Sequence, residues 1–120
     1  MLKLTLLQAN QLPGNAVKSY KSKVYFIPKS DGLGIIGMGE FAVSFDLSGE
    51  FFDEKGRSAP LVQIAEALER AFNFSFGGIY KNKTALFRRK PFNRTKGLDY
   101  LRNLIIREGR NRSKNKDEKR

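Results

Sequence analysis

Residues 58–73, Ser-Ala-Pro-Leu-Val-Gln-Ile-Ala-Glu-Ala-Leu-Glu-Arg-Ala-Phe-Asn, constrain the fold more than any other stretch. Leu61, Ile64, Ala65, Leu68, Ala71 and Phe72 recur at i, i+3, i+4, i+7 spacing, while Gln63, Glu66, Glu69 and Arg70 take the other side. That period predicts a helix with one buried stripe. Ser58 is the expected N-cap, with Pro60 in the first turn, where its missing N–H costs little. Asn73 is expected to end the helix. Phe74 and Phe76 would then enter the core, and Gly77-Gly78 let the chain reverse.

Two further helices are expected downstream. Residues 79–90 place Ile79, Tyr80, Thr84 and Phe87 on one side, and Pro91 stops the pattern. The shared face makes Tyr80 and Phe87 core residues rather than stacking platforms for bases. Thr95 or Asn93 then caps a last helix in which Leu98, Leu101, Leu104 and Ile105 face inward. Asp99 sits near its start, where negative charge is favoured. The helix should end near Gly109, leaving residues 110–120 as a basic disordered tail. The fold class is therefore mainly α, a small helical, helix-turn-helix-like domain over residues 31–109, with α+β as the alternative.

Upstream, the pattern is less regular. Leu2, Leu4 and Leu6 alternate like a short strand, residues 12–15 carry a turn signal, and Val24 to Ile27 form a β-prone run that Pro28 stops. Residues 1–30 thus read as an extended N-terminal arm. Gly32, Gly34 and Gly37 match G-x-G-x-x-G. That fingerprint needs a strand before it, a helix after it and a larger sheet around it, so the match reads as chance. Phe41, Val43, Phe45 and Leu47 alternate as in a half-buried strand. Yet Phe41 and Phe45 are also four apart, which leaves a helix ending at Gly49 as the alternative.

Charge divides the chain sharply. Residues 1–70 carry eight Lys/Arg and eight Asp/Glu, whereas residues 71–120 carry fifteen and four, so the whole net charge of +11 lies in the second part. A one-sided basic half is the electrostatic footprint of a polyanion binder. With no Cys and no His, disulfides, thiolate metal sites, Ser-His-Asp triads and His-ligated zinc are excluded. No cofactor or resident metal is expected. No apolar run reaches the roughly 20 residues of a membrane span, and the N-terminal apolar run is too short for a signal peptide. A cytoplasmic location without a membrane partner is the expectation.

The run Ile64-Ala65, Phe72-Asn73, Gly78-Ile79-Tyr80, Lys83-Thr84, Phe87-Arg88-Arg89-Lys90, Asn93-Arg94-Thr95-Lys96-Gly97-Leu98-Asp99 and Leu101 resembles the C-terminal part of RteC-type regulators of Bacteroidetes conjugative transposons. The resemblance covers about residues 61–108 and is strongest at residues 93–96. It implies a helix-turn-helix-like domain and transcriptional regulation of a mobile element. It also favours the helical reading of residues 41–48.

Together these point to a non-enzymatic DNA-binding accessory or regulatory protein. Its phosphate-contacting surface would comprise Lys81, Lys83, Arg88, Arg89, Lys90, Asn93, Arg94, Thr95 and Lys96, extended by Arg102, Arg107 and Arg110. Asn93 or Thr95 can equally be a helix cap, with Arg94 paired to Asp99 or Glu66. Duplex DNA is the expected partner, with a protein partner or a homodimer as further candidates. A second reading is a protein-interaction module built on the Phe-rich residues 41–52. A third is a Mg²⁺-dependent nuclease using Asp46, Asp53 and Lys55, which requires residues 41–47 and 51–52 to be paired strands.

Overall fold

The computed structural model describes residues 21–118, with side chains as far as 114. The expected strand at Leu2 to Leu6 and the turn at residues 12–15 lie outside them. The described residues form four α-helices: α1 (Gly34–Ser48), α2 (Leu61–Phe72), α3 (Ile79–Arg88) and α4 (Lys96–Glu118), with a 3-10 turn, Pro91–Asn93, leading into α4. The fold is mainly α. Among the described residues, β structure is confined to the isolated antiparallel bridge between Phe52 and Ser58.

Contacts divide residues 31–109, read from sequence as one domain, between two compact units. Residues 21–27 and 42–75 form one, and residues 28–41 and 76–118 form the other.

In the first unit Leu61, Ile64 and Ala65 are buried on the expected stripe of α2, as are Ala42 and Val43 of α1. Asn73 ends α2 in the left-handed conformation (φ 49°), with its N–H and that of Phe74 both bonded to the Glu69 carbonyl. Its side chain then holds the incoming chain, donating to the carbonyls of Ser22 and Val24, each at 2.9 Å. The Phe26 N–H donates to the Phe72 carbonyl at 2.7 Å, and the Ser22 hydroxyl donates to that of Ala71. Residues 22–26 are thus an extended segment that satisfies carbonyls left open at the end of α2. The Phe26 and Phe74 rings meet edge to face at 5.4 Å.

One expectation is corrected here, and one left open is decided. Ser58 is not the N-cap of α2. It pairs with Phe52, and Pro60 holds the cap position without a side-chain hydrogen bond. Of the two readings open for residues 41–47, the helical one holds. α1 is apolar on nearly every side, and a helix of that kind gives no 3.6-residue contrast, so alternation alone misreads it. Gly49 (φ 70°) closes it, its N–H bonded to the Asp46 carbonyl.

In the second unit the buried apolar residues are Met38, Phe76, Ile79 and Leu86. Gly77 and Gly78 both have positive φ (73° and 108°) and make the expected reversal into α3. Buried positions on α3 are Ile79, Asn82 and Leu86. Tyr80 and Phe87, expected in the core, are 61% and 45% exposed. The stripe turns one step further round the helix than the aromatic pair suggests, because Asn82 fills a core position.

α4 departs most from expectation. It runs through Gly109 to Glu118, so residues 110–118 are helix and not tail. Leu98 and Leu101 are partly buried, but every residue from Arg102 to Lys114 is exposed, Leu104 and Ile105 included.

Candidate nucleic-acid interface

The nine residues proposed from sequence as a phosphate-contacting surface all lie in the second unit, on α3, the turn after it and the start of α4. They are not equivalent. Two of them, Arg89 and Arg94, are engaged within the fold, the first by a buried carboxylate.

Glu40 sits on α1 within an apolar run, and its side chain is 1% exposed. Glu40 Oε2 accepts from Arg89 Nη1 at 2.7 Å and from the Gly97 N–H at 2.6 Å; Oε1 accepts from the Leu98 N–H at 2.8 Å. Gly97 and Leu98 are the second and third residues of α4. Their amides are the donors that an N-cap side chain normally satisfies. Glu40 therefore caps α4 from another helix, and its charge meets the positive end of the helix dipole. The expected local caps do not form. Thr95 turns its hydroxyl toward Asp99 Oδ2 (3.2 Å), and the Asn93 carbonyl accepts from Arg89 Nη1 (3.1 Å).

Glycines make this approach feasible. A Cβ on Gly97 would stand 2.8 Å from Glu40 Oε2 and 2.8 Å from the Gly37 Cα; one on Gly39 would fall 1.7 Å from Asn82 Oδ1. Asn82 in turn donates from Nδ2 to the Ile35 carbonyl at 3.0 Å. Gly37 and Gly39 let α1 come close to α3 and α4. The G-x-G-x-x-G match thus belongs partly to a helix–helix contact, as Gly37 lies within α1.

Arg89, through Glu40, and Arg94, through the backbone of α3, serve the fold. Arg89 is held by Glu40, with 20% of its side chain exposed. Arg94 donates from Nη2 to the Phe87 carbonyl at 3.2 Å, and its Nε is buried without a partner. The expected pairing of Arg94 with Asp99 or Glu66 is replaced by these contacts. Lys81, Arg88, Lys90, Asn93, Thr95 and Lys96 are exposed, and Lys83 is half-buried. Glu40 was missed from sequence. Its signal was a single acid within the apolar run of residues 35–43, since buried carboxylates are nearly always paired.

The features read as a nuclease do not assemble. Residues 41–47 are helical, so the paired strands are lacking. Asp53 is engaged in its own turn. Its Oδ1 accepts from the Lys55 and Arg57 N–H groups at 2.8 and 2.9 Å, and its Oδ2 from Arg57 Nε at 3.3 Å. The Arg57 amide foremost, then the Lys55 amide and the Arg57 charge, hold its carboxyl below the ordinary 3.8, with partial desolvation opposing them. Among the described residues no group of three or more acidic side chains is placed to hold a metal ion, and no helix is long and apolar enough to cross a membrane.

No protein-family model matches the chain, and comparison with curated proteins and with solved structures finds no match.

Proposed function

We propose that this chain is a DNA-binding accessory or regulatory protein of a mobile genetic element, acting in the cytoplasm through its basic second unit. The observation that carries the reading is the exposed set Lys81, Arg88, Lys90 and Lys96. It lies in the part of the chain that holds all the net charge, and among the described residues none of the four is in an ion pair. Exposed, unpaired cations are the groups that displace condensed counterions from a duplex. The resemblance to RteC-type regulators supports duplex DNA as the polyanion and regulation as the role. Arg89 and Arg94 are left out of the contact set because their guanidinium groups are spent on Glu40 and on backbone carbonyls.

The test is fluorescence anisotropy of labelled duplex DNA, duplex RNA and single strands, titrated at several salt concentrations. Duplex DNA should bind with a log–log salt slope of roughly −4 or steeper, equivalent to about five phosphates. No binding at low salt would overturn the reading.

A second reading, a protein-interaction module, rests on a groove of the first unit lined by Phe45, Phe51, Phe52, Ala59, Ile64 and Leu68. Phe45 and Phe51 stack at 4.4 Å, and Phe52 is 56% exposed. Partner capture that persists when the cations are removed would favour it.

A further inference from the structure

Every residue of α4 from Arg102 to Lys114 is exposed. At 3.6 residues per turn, Lys96, Asn103, Arg107, Arg110 and Lys114 fall within about 60° of one another, in a row roughly 27 Å long. All five are exposed. From Arg102 to Lys114 the single acid is Glu108, and it is held by Arg112 Nε at 2.8 Å. Among the described residues Lys96, Arg107, Arg110 and Lys114 have no ion pair. The row begins at Lys96, beside the Glu40 cap, so the base of the helix is anchored to its unit by buried contacts while the remainder extends into solvent.

Resting on the DNA-binding reading, we propose that α4 beyond Leu101 is a nucleic-acid arm, with Arg107, Arg110 and Lys114 engaging the phosphates of a duplex. Charge complementarity decides the occupant. A row of this length matches about eight base pairs at 3.4 Å each, and a helix fits the major groove. A second copy of the chain is disfavoured. Leu104, Ile105 and Ile106 point about 100° apart, so they form no seam. The stripe of Leu98, Leu101 and Ile105 gives way to Glu108 and Arg112 at the next positions. A membrane surface would need that apolar face to continue along the helix, and it stops after Ile105.

The experiment uses the full chain and two triple variants, Arg107→Ala/Arg110→Ala/Lys114→Ala on α4 and Lys81→Ala/Arg88→Ala/Lys90→Ala on and after α3. Each is titrated by anisotropy against a labelled 20-base-pair duplex across salt concentrations, and against vesicles containing phosphatidylserine. The α4 variant should lose roughly 2.7 from the magnitude of the log–log slope, about 0.9 per phosphate, and bind at least tenfold more weakly at low salt. Its thermal midpoint should match the parent, since the changed side chains are exposed. A wild-type slope in the α4 variant, with the loss confined to the α3 variant, overturns the arm and leaves the DNA reading standing. Failure of the parent chain to bind duplex at low salt overturns both. Binding to the vesicles but not to the duplex replaces nucleic acid by a membrane surface and overturns the proposal.

Discussion

Arg89 Nη1 lies 2.7 Å from Glu40 Oε2, the same oxygen that receives the Gly97 amide of α4 at 2.6 Å. One carboxylate thus neutralises an arginine and caps a helix. Removing it strands a partly buried guanidinium and two helix-start amides together. Glu40→Ala should therefore lower unfolding stability by about 3 kcal/mol, the low end for a broken buried pair, because Arg89 regains some hydration. Glu40→Gln should cost less than the alanine change, since one carbonyl oxygen still accepts. Urea denaturation reads both. An unchanged midpoint in Glu40→Ala would show that the pair contributes nothing.

Gly39 and Gly109 are both helical glycines, and alanine should act on them in opposite directions. A Cβ on Gly39 would overlap Asn82 Oδ1, whereas one on Gly109 meets nothing within 4 Å. Gly39→Ala should destabilise by about 2–3 kcal/mol or more through forced displacement in a packed interior. Gly109→Ala should gain up to about 1 kcal/mol from helix propensity alone, and raise helicity. Circular dichroism and thermal melts of the two variants separate packing from propensity.

These residues also show what the sequence could and could not reveal. α2 was legible because Leu61, Ile64 and Ala65 alternate with a charged face, and Asn73 and Gly77-Gly78 punctuate the segment after it. α1 was ambiguous because it is apolar almost all round and shows neither period. The end of α4 was misplaced because Gly109 and the polar run after it resemble a stop, although the described helix continues through them. Within the candidate site, the cations were visible as a cluster, but not which of them are free. For Arg89 that depends on Glu40, about fifty residues away in sequence and brought near by glycines, and for Arg94 on the Phe87 carbonyl. No local pattern encodes such a pairing, so Arg89 and Arg94 read the same as Lys81 and Lys90.

Asn73 offers a separation of backbone from side chain. It supplies the left-handed residue that ends α2 and two hydrogen bonds to residues 22–24. Asn73→Gly keeps the conformation and loses the bonds, while Asn73→Ala loses both. The glycine variant should cost about 1 kcal/mol and the alanine variant about 1 kcal/mol more. Equal losses would mean that the left-handed geometry adds nothing.

Asp53 should impose an acid limit on its own turn. Its folded carboxyl titrates below the ordinary 3.8, held there first by the Arg57 amide. A depressed folded value means that the stabilisation is present above the unfolded value and is lost as pH falls through the folded one. Asp53→Asn retains an oxygen for the Lys55 and Arg57 amides but has no proton to bind. Its stability should therefore vary less with pH below the ordinary 3.8 than the parent's does. Chemical denaturation at neutral pH and in acid reads the difference, and an unaltered acid profile would remove Asp53 from the account.

The division of the basic residues into fold-holding and exposed members predicts two opposite sets of phenotypes. Arg89→Ala leaves Glu40 buried beside two amides but without its counter-charge, and should cost about 3 kcal/mol. Arg94→Ala should cost only about 1 kcal/mol. It removes the bond to the Phe87 carbonyl and, with it, a buried Nε that has no partner. Lys81→Ala and Lys90→Ala should leave the unfolding free energy within about 0.5 kcal/mol of the parent's, as exposed substitutions do. On duplex DNA the order should reverse. Each of the two lysine changes should reduce the magnitude of the salt slope by about 0.9, and the two arginine changes, measured where the variants remain folded, should leave it unaltered. A slope that falls with Arg89→Ala and stays fixed with Lys90→Ala would place the contact surface on the wrong residues.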